Sequence, residues 1–243
     1  MSAGSVVSSA TLRARRVSGD AFAECAFSEA SLSDLFDASP WRTFRWHLGQ
    51  KHYSGSFWSA TEQALVIYES RLELARLLFA DFDPAVSRIV AQPFLMTAHV
   101  DGAVRKHIPD FLLRTNAGPL VVDVKPAHRV SRPDVAFTFG WSRRVVESRG
   151  WGYQVWSEPP VALLENLRFL AGYRRAWLFD PMLLDALRLA DLDGATLAGA
   201  FASVPGFGPD AVRSSVFHLL WSGWLTTDLD RPLGSAHVLR RCS

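Results

Sequence analysis

The sequence predicts an α/β core followed by a helical module that ends in a short β-hairpin. Two observations carry the core. Between about residues 41 and 158 the apolar period switches from strand-like alternation to helical spacing and back, twice over. An Asp101-Gly102 pair, a strong hairpin-turn signal, sits between two β-branched runs. The third observation concerns the remainder. From about residue 160 helical segments dominate until two short β-like pieces, which flank Pro232 and Gly234.

The elements follow in order. Residues 1–26 are rich in Ser and Ala without steady periodicity and read as a mobile arm, in which Arg13, Arg15 and Arg16 are available to phosphates. "WRTFRW", "GSFWSAT" and "LVIYE" read as strands. In "SRLELARLLFADFDP" the residues Leu72, Ala75, Leu78 and Phe79 recur at helical spacing, and Pro84 closes the segment. "VSRIVAQPF" and "FLMTAHV" are strand-like, as are "HIPDFLLR" and "LVVDVKP", which are joined across Asn116 to Pro119. Residues 131–149 form a basic helix carrying Arg132, Arg143, Arg144 and Arg149, and "YQVWSE" is a further strand. The predicted units are an arm over 1–26, an α/β domain over 27–158 and a module over 159–243. Helices closed by a β-hairpin give that module a winged-helix outline.

Composition narrows the function classes. Hydrophobic residues make up 49% of the 243, enough for a real core. The net charge of +2 gives no general affinity for polyanions, so any nucleic-acid contact must come from local clustering. No apolar run approaches the roughly 20 residues that cross a bilayer, and the first residues lack the pattern of a signal peptide. Cys25 and Cys242 give neither zinc spacing nor a disulfide framework, so a reducing cytoplasm is expected. No Gly-rich phosphate loop is present. The seven histidines are scattered, and Trp41, Trp46 and Trp58 are candidates to flank a groove.

One stretch breaks the apolar logic of the strands. In "HIPDFLLRTNAGPLVVDVKP" two carboxylates and a lysine occupy runs that otherwise read as buried. With the turn centred between Asn116 and Ala117, paired positions sum to about 233, which sets Asp110 opposite Asp123. Asp123 and Lys125, two apart, share a face. Like charges directly opposite are destabilising by roughly 0.2–1 kcal/mol even when exposed, and burial makes this worse. A salt bridge on an exposed face is the plain alternative. Val121, Val122 and Val124 argue against it, because they read as a strand buried on both faces. A divalent cation relieves the conflict, and oxygen-only ligands suit Mg2+ or Mn2+.

Pro109-Asp110, a spacer and Asp123-Val124-Lys125 also make the PD-(D/E)xK nuclease pattern. In that chemistry the carboxylates hold a metal that polarises the scissile phosphate and activates water, and the lysine stabilises the developing charge. A third acid comes from the preceding helix. Glu69 and Glu73 share a helix face, and Ser70-Arg71-Leu72-Glu73 is also a capping box. Spacing leaves the two acids open.

"ESRLELARLLFADFDPAVSRIVAQPF", then "IPDFLL", then "VVDVKPA" resembles the TnsA family, the endonuclease subunit of heteromeric DNA transposases. The resemblance spans about residues 41–158 and, more loosely, "FHLLWSGWLTTDLDRPL". It implies a restriction-endonuclease-like core and a winged-helix module that docks partner subunits. It maps the helix acid to Glu73, the strand acid to Asp110 and the lysine to Lys125, with Glu69 and Gln92 supporting. Where that family can carry a glutamine two before the lysine, this chain has Asp123. The expected activity is Mg2+-dependent cleavage of double-stranded DNA at the 5′ ends of a mobile element. A TnsB-like transposase and a TnsC-like ATPase are the expected partners, and Arg132, Arg143 and Arg144 are expected on the DNA backbone. A free-standing restriction, repair or junction-resolving nuclease and a non-catalytic DNA-binding scaffold are the rival readings.

Overall fold

The computed structural model describes residues 6–16, 20, 24–42 and 53–242. It is a mixed α/β protein whose chain divides into two compact units, one of the residues up to Ala80 with Ala85–Glu158, the other of Asp81–Pro84 with Pro159 onward.

The first unit opens with β1 (Val7–Arg13), β2 (Cys25–Ala26) and α1 (Leu32–Phe36). The hairpin β3 (Gly55–Ser59) and β4 (Ala64–Tyr68) follows, then α2 (Arg71–Phe82) and β5 (Val86–Ala91). Next come β6 (Leu95–Val100), β7 (Ala103–His107), β8 (Phe111–Thr115) and β9 (Gly118–Val124). The short α3 (Ala127–Val130) and the long α4 (Pro133–Glu147) lead to β10 (Gly152–Trp156).

These strands form two four-stranded sheets, ordered β2-β1-β6-β7 and β10-β9-β8-β5. In the second, β5, β8 and β9 are antiparallel and β10 runs parallel to β9. Parallel neighbours need a crossover, which α3 and α4 supply. Strand β9 lies between two partners, so its last four residues, Val121 to Val124, are buried. The β6–β7 hairpin turns at Asp101-Gly102, with φ of 51° and 77°. That is the left-handed geometry a two-residue Asp-Gly hairpin turn requires.

Residues 1–26 are not an arm throughout. Val7–Arg13 pairs with β6 from Arg13↔Leu95 to Val7↔Val100, and Leu12 is 3% exposed. Leu12 and Ala14 lie in one core with Phe94, Met96, Trp141 and Val145. The strand shows no two-residue period because Ser8 and Ser9 are both exposed and the register shifts between Val7 and Ser9, while the partner strand supplies the bulk. Arg15 is tied in too, donating to the Trp41 carbonyl at 3.3 Å. Leu12→Ala should therefore cost about 2–4 kcal/mol in a urea titration, the range for a buried leucine; a mobile arm predicts no change. Of "WRTFRW", only Trp41 and Arg42 are described; Trp46, His47 and His52 lie outside the described residues.

The second unit contains α5 (Val161–Leu170), α6 (Pro181–Leu189), α7 (Leu197–Phe201) and α8 (Pro209–Trp221). The two-residue strands β11 (Leu225–Thr226) and β12 (Arg240–Arg241) pair antiparallel. Asn166 anchors the segment before β12 by donating to the Leu229 and Arg231 carbonyls at 2.9 and 2.8 Å. The second half of α8 is buried, His218 included. The His218 ring stacks on Phe179 and its Nδ1 pairs with the Tyr173 carbonyl at 2.8 Å. Arg213 lies over the Phe201 ring. Thus His218 packs within the module and Arg213 covers an aromatic ring of it. No helix among the described residues is long and apolar enough to cross a membrane.

Candidate metal and phosphate site

The β8–β9 hairpin builds the site. Its pairs run Thr115↔Gly118 to Phe111↔Val122, the register expected from the turn. One step further along, Asp110 stands across from Asp123. Both line a cavity of about 400 Å3, together with Lys125, Glu69 and Glu73. Every residue expected to be catalytic is therefore at one place.

Asp110 is fixed at both ends. Its carboxylate accepts from the Val124 N–H at 2.6 Å, and its carbonyl accepts from the Gln92 N–H at 2.8 Å. Burial pushes its pKa well above the ordinary carboxylate range, and the Asp123 and Glu73 charges push it further. The Val124 N–H and Lys125 oppose this without cancelling it. This is the conflict inferred from the hairpin, now with its partners named.

Asp123 is 2% exposed and has its own partners. His107 Nε2 lies 2.8 Å from Oδ1 and 2.9 Å from Oδ2, and the Tyr153 hydroxyl donates to Oδ2. Burial, then the Asp123 charge and its hydrogen bond, push the Tyr153 pKa far up, so the phenol stays a donor. Lys125 continues from β9 beside β10: its N–H donates to the Trp156 carbonyl at 2.9 Å, and Ser157 Oγ donates to its carbonyl at 2.7 Å.

The two helix acids divide their work. Glu73 folds back over the start of α2 in a capping-box-like arrangement that uses the Glu69 amide instead of the Ser70 amide. Its Oε2 accepts from the Glu69 N–H at 2.7 Å and its Oε1 from Ser70 Oγ at 2.9 Å, while the Glu73 N–H donates to Ser70 Oγ at 3.2 Å. Burial raises its pKa; the Glu69 N–H and Ser70 hydroxyl hold it back. Glu69 accepts from Gln92 Nε2 at 2.7 Å and stands 4.0 Å from Arg42. Gln92 is outside the cavity wall, yet it is the corner piece. It takes φ of 47° where the chain leaves β5 for the other sheet. Its bonds reach Asp110, Glu69, the Trp41 N–H and the Arg42 N–H. Four hydrogen bonds offset a conformation that a non-glycine residue rarely adopts.

Among the described residues, no three His, Cys, Asp or Glu side chains stand ready-made as an ion cage. The expected set of Glu73, Asp110 and Asp123 is thus not assembled as a triad, because Glu73 is turned into its cap. Asp110 and Asp123 are the pair that faces one another. Their donor chemistry fits a hard divalent cation: carboxylate oxygens, no thiolate, and mutual repulsion that a bound charge would remove. Compared with models of known protein families and with curated proteins, the chain matches none.

The basic helix is distributed differently from expectation. Arg132 is exposed beside Asp134. Arg143 pairs with Glu147 at 3.1 Å and lies 5.1 Å over the Tyr153 ring. Arg144 lines another cavity, with Val7, Phe27 and Ser148. Among the described residues, the cations that line the site are Arg42, Lys106 and Lys125. Sequence reasoning missed Lys106, His107, Arg42 and Tyr153. His107 had one available signal, its position three before Asp110 in the same extended run. Tyr153 had none, since the register of β10 on β9 is set across a helical crossover.

Proposed function

We propose that this chain is a Mg2+-dependent DNA endonuclease of the PD-(D/E)xK class, with Mn2+ able to substitute. The observation that carries the reading is the convergence of Asp110, Asp123 and Lys125 on one cavity, with the Asp110 carboxyl raised by its acidic neighbours. A divalent cation bound there supplies a Lewis acid for a phosphate oxygen and lowers the pKa of a bound water. The chain's own residues do the rest. Asp110 and Asp123 hold the cation. Lys125 places an ammonium where charge grows on the phosphate. Arg42 and Lys106 on the cavity lining would meet the phosphates of a DNA backbone, while Gln92 keeps Glu69 and the Asp110 backbone in register. The order of α2, β5, β8, β9, α4 and β10 supports a restriction-endonuclease-like core. The helices and terminal hairpin of the second unit support a winged-helix-like module.

Within that class we place the chain as the TnsA-like subunit that cuts the 5′ ends of a mobile element, acting in the cytoplasm on nucleoid DNA. A TnsB-like transposase processes the other strand and a TnsC-like ATPase regulates both. The net charge of +2, and an α8 whose His218 is buried rather than presented to solvent, favour a chain that takes its target from a partner. Purified chain with Mg2+ should leave end-containing DNA largely intact, and adding the cognate transposase should switch on cleavage at the 5′ ends. Efficient cutting of a defined sequence without any partner would instead establish a free-standing nuclease. Absence of cleavage together with normal DNA binding in the assembled complex would establish a scaffold.

A further inference from the structure

Where the Asp110 carboxylate takes one backbone N–H, two side-chain donors hold the Asp123 carboxylate. Its Oδ2 takes both the Tyr153 hydroxyl and half of a shared contact with His107 Nε2; its Oδ1 takes the other half. Neither donor is free to swing. The His107 ring sits edge-on to Phe139 and Trp141, with centroids 6.5 and 6.1 Å away. Tyr153 is buried beneath the Arg143 guanidinium, which also donates to the Tyr153 carbonyl at 3.4 Å. Of the two carboxylate oxygens, Oδ1 is the less occupied.

This asymmetry has a consequence for ion choice. Mg2+ demands a tight octahedral set, a geometry Mn2+ shares, whereas Ca2+ accepts six to eight oxygens at longer range and readily takes both from one carboxylate. Hydrogen-bond donors to a ligating carboxylate orient it, and removing them typically changes metal affinity by about 10–100-fold. Resting on the metal-dependent reading above, we propose that His107 and Tyr153 are positioning residues that hold Asp123 to coordination through Oδ1 alone, and so select a small octahedral cation over calcium. Tyr153→Phe would remove one of the two donors on Oδ2, leaving it to the His107 contact alone, while keeping the ring packed.

The test is calorimetric titration of the full chain with Mn2+ and with Ca2+, without DNA. The wild type should prefer Mn2+. Tyr153→Phe and His107→Leu should each reduce the Mn2+ to Ca2+ affinity ratio by about tenfold, the lower end of the range for lost orienting bonds. His107→Gln, whose amide can donate to Asp123, should recover most of that ratio, which a packing role would not produce. A ratio unchanged in Tyr153→Phe and His107→Leu, with Mn2+ binding still lost in Asp110→Asn, overturns the clamp and leaves the metal site standing. Folded wild type that binds neither ion overturns both.

Discussion

Lys125→Ala should lower DNA cleavage by about 10²–10³-fold, the loss expected when one donor to transition-state charge is removed. The fold and Mn2+ affinity should change little. The reasoning is positional. Lys125 lines the cavity with Asp110 and Asp123, and its backbone is locked to β10 through Trp156 and Ser157. Truncating the side chain therefore removes the ammonium without loosening the strand. Lys125 also lowers the Asp110 pKa, though it is the last of the causes acting there. A lysine that served only as countercharge would leave cleavage near wild type and shift metal binding instead. Single-turnover cleavage of end-containing DNA with the partner proteins present, set beside Mn2+ titration, separates the two roles.

Asp110→Asn should abolish Mn2+ binding and make the metal-free protein more stable at neutral pH. Burial, Asp123 and Glu73 all raise the Asp110 pKa in the folded chain. In the unfolded chain it returns to about 3.9. Between those two values the unfolded state releases its proton first, so stability falls as pH rises through the window and levels off above the folded pKa. Asparagine has no proton to lose and still accepts from the Val124 N–H. The variant should lack this decline, and its gain at neutral pH should be about 1 kcal/mol, the scale of a directly opposed like-charge pair. Urea titrations in chelator at mildly acidic and mildly alkaline pH measure the difference. Parallel pH dependence in the two proteins would falsify the view that Asp110 is electrostatically strained without a metal. The expected pattern is that of a site that gives up stability for a ligand.

Local signals decided the hairpins and the site's first pair. The β8–β9 turn is short, so its centre sets every pair beyond it, and Asp110 faces Asp123 as read from the residues. The Asp101-Gly102 turn and the Ser70–Glu73 capping box are equally local, the one set by backbone conformation and the other by side chains three apart. The capping box also shows the limit of such a signal. It anticipated that Glu73 turns back to the start of α2, though to the Glu69 amide rather than the Ser70 amide, while the same residue also lines the cavity.

Three features belonged to the tertiary structure alone. Strand β1 has two consecutive exposed serines and a register shift that hide its period, and it exists because β6 offers an edge and an apolar face. The chain changes sheets between β5 and β6 at Gln92, whose left-handed backbone no propensity would assign; four hydrogen bonds from distant segments hold it there. His107 and Tyr153 meet on Asp123 from two different sheets, the second after a helical crossover of unconstrained register. By itself, then, the sequence determined which acids oppose each other and which lysine shares their face, because a hairpin correlates residues through one turn. Which donors hold those acids, and which cations line the cavity, depended on contacts between segments that no local period relates.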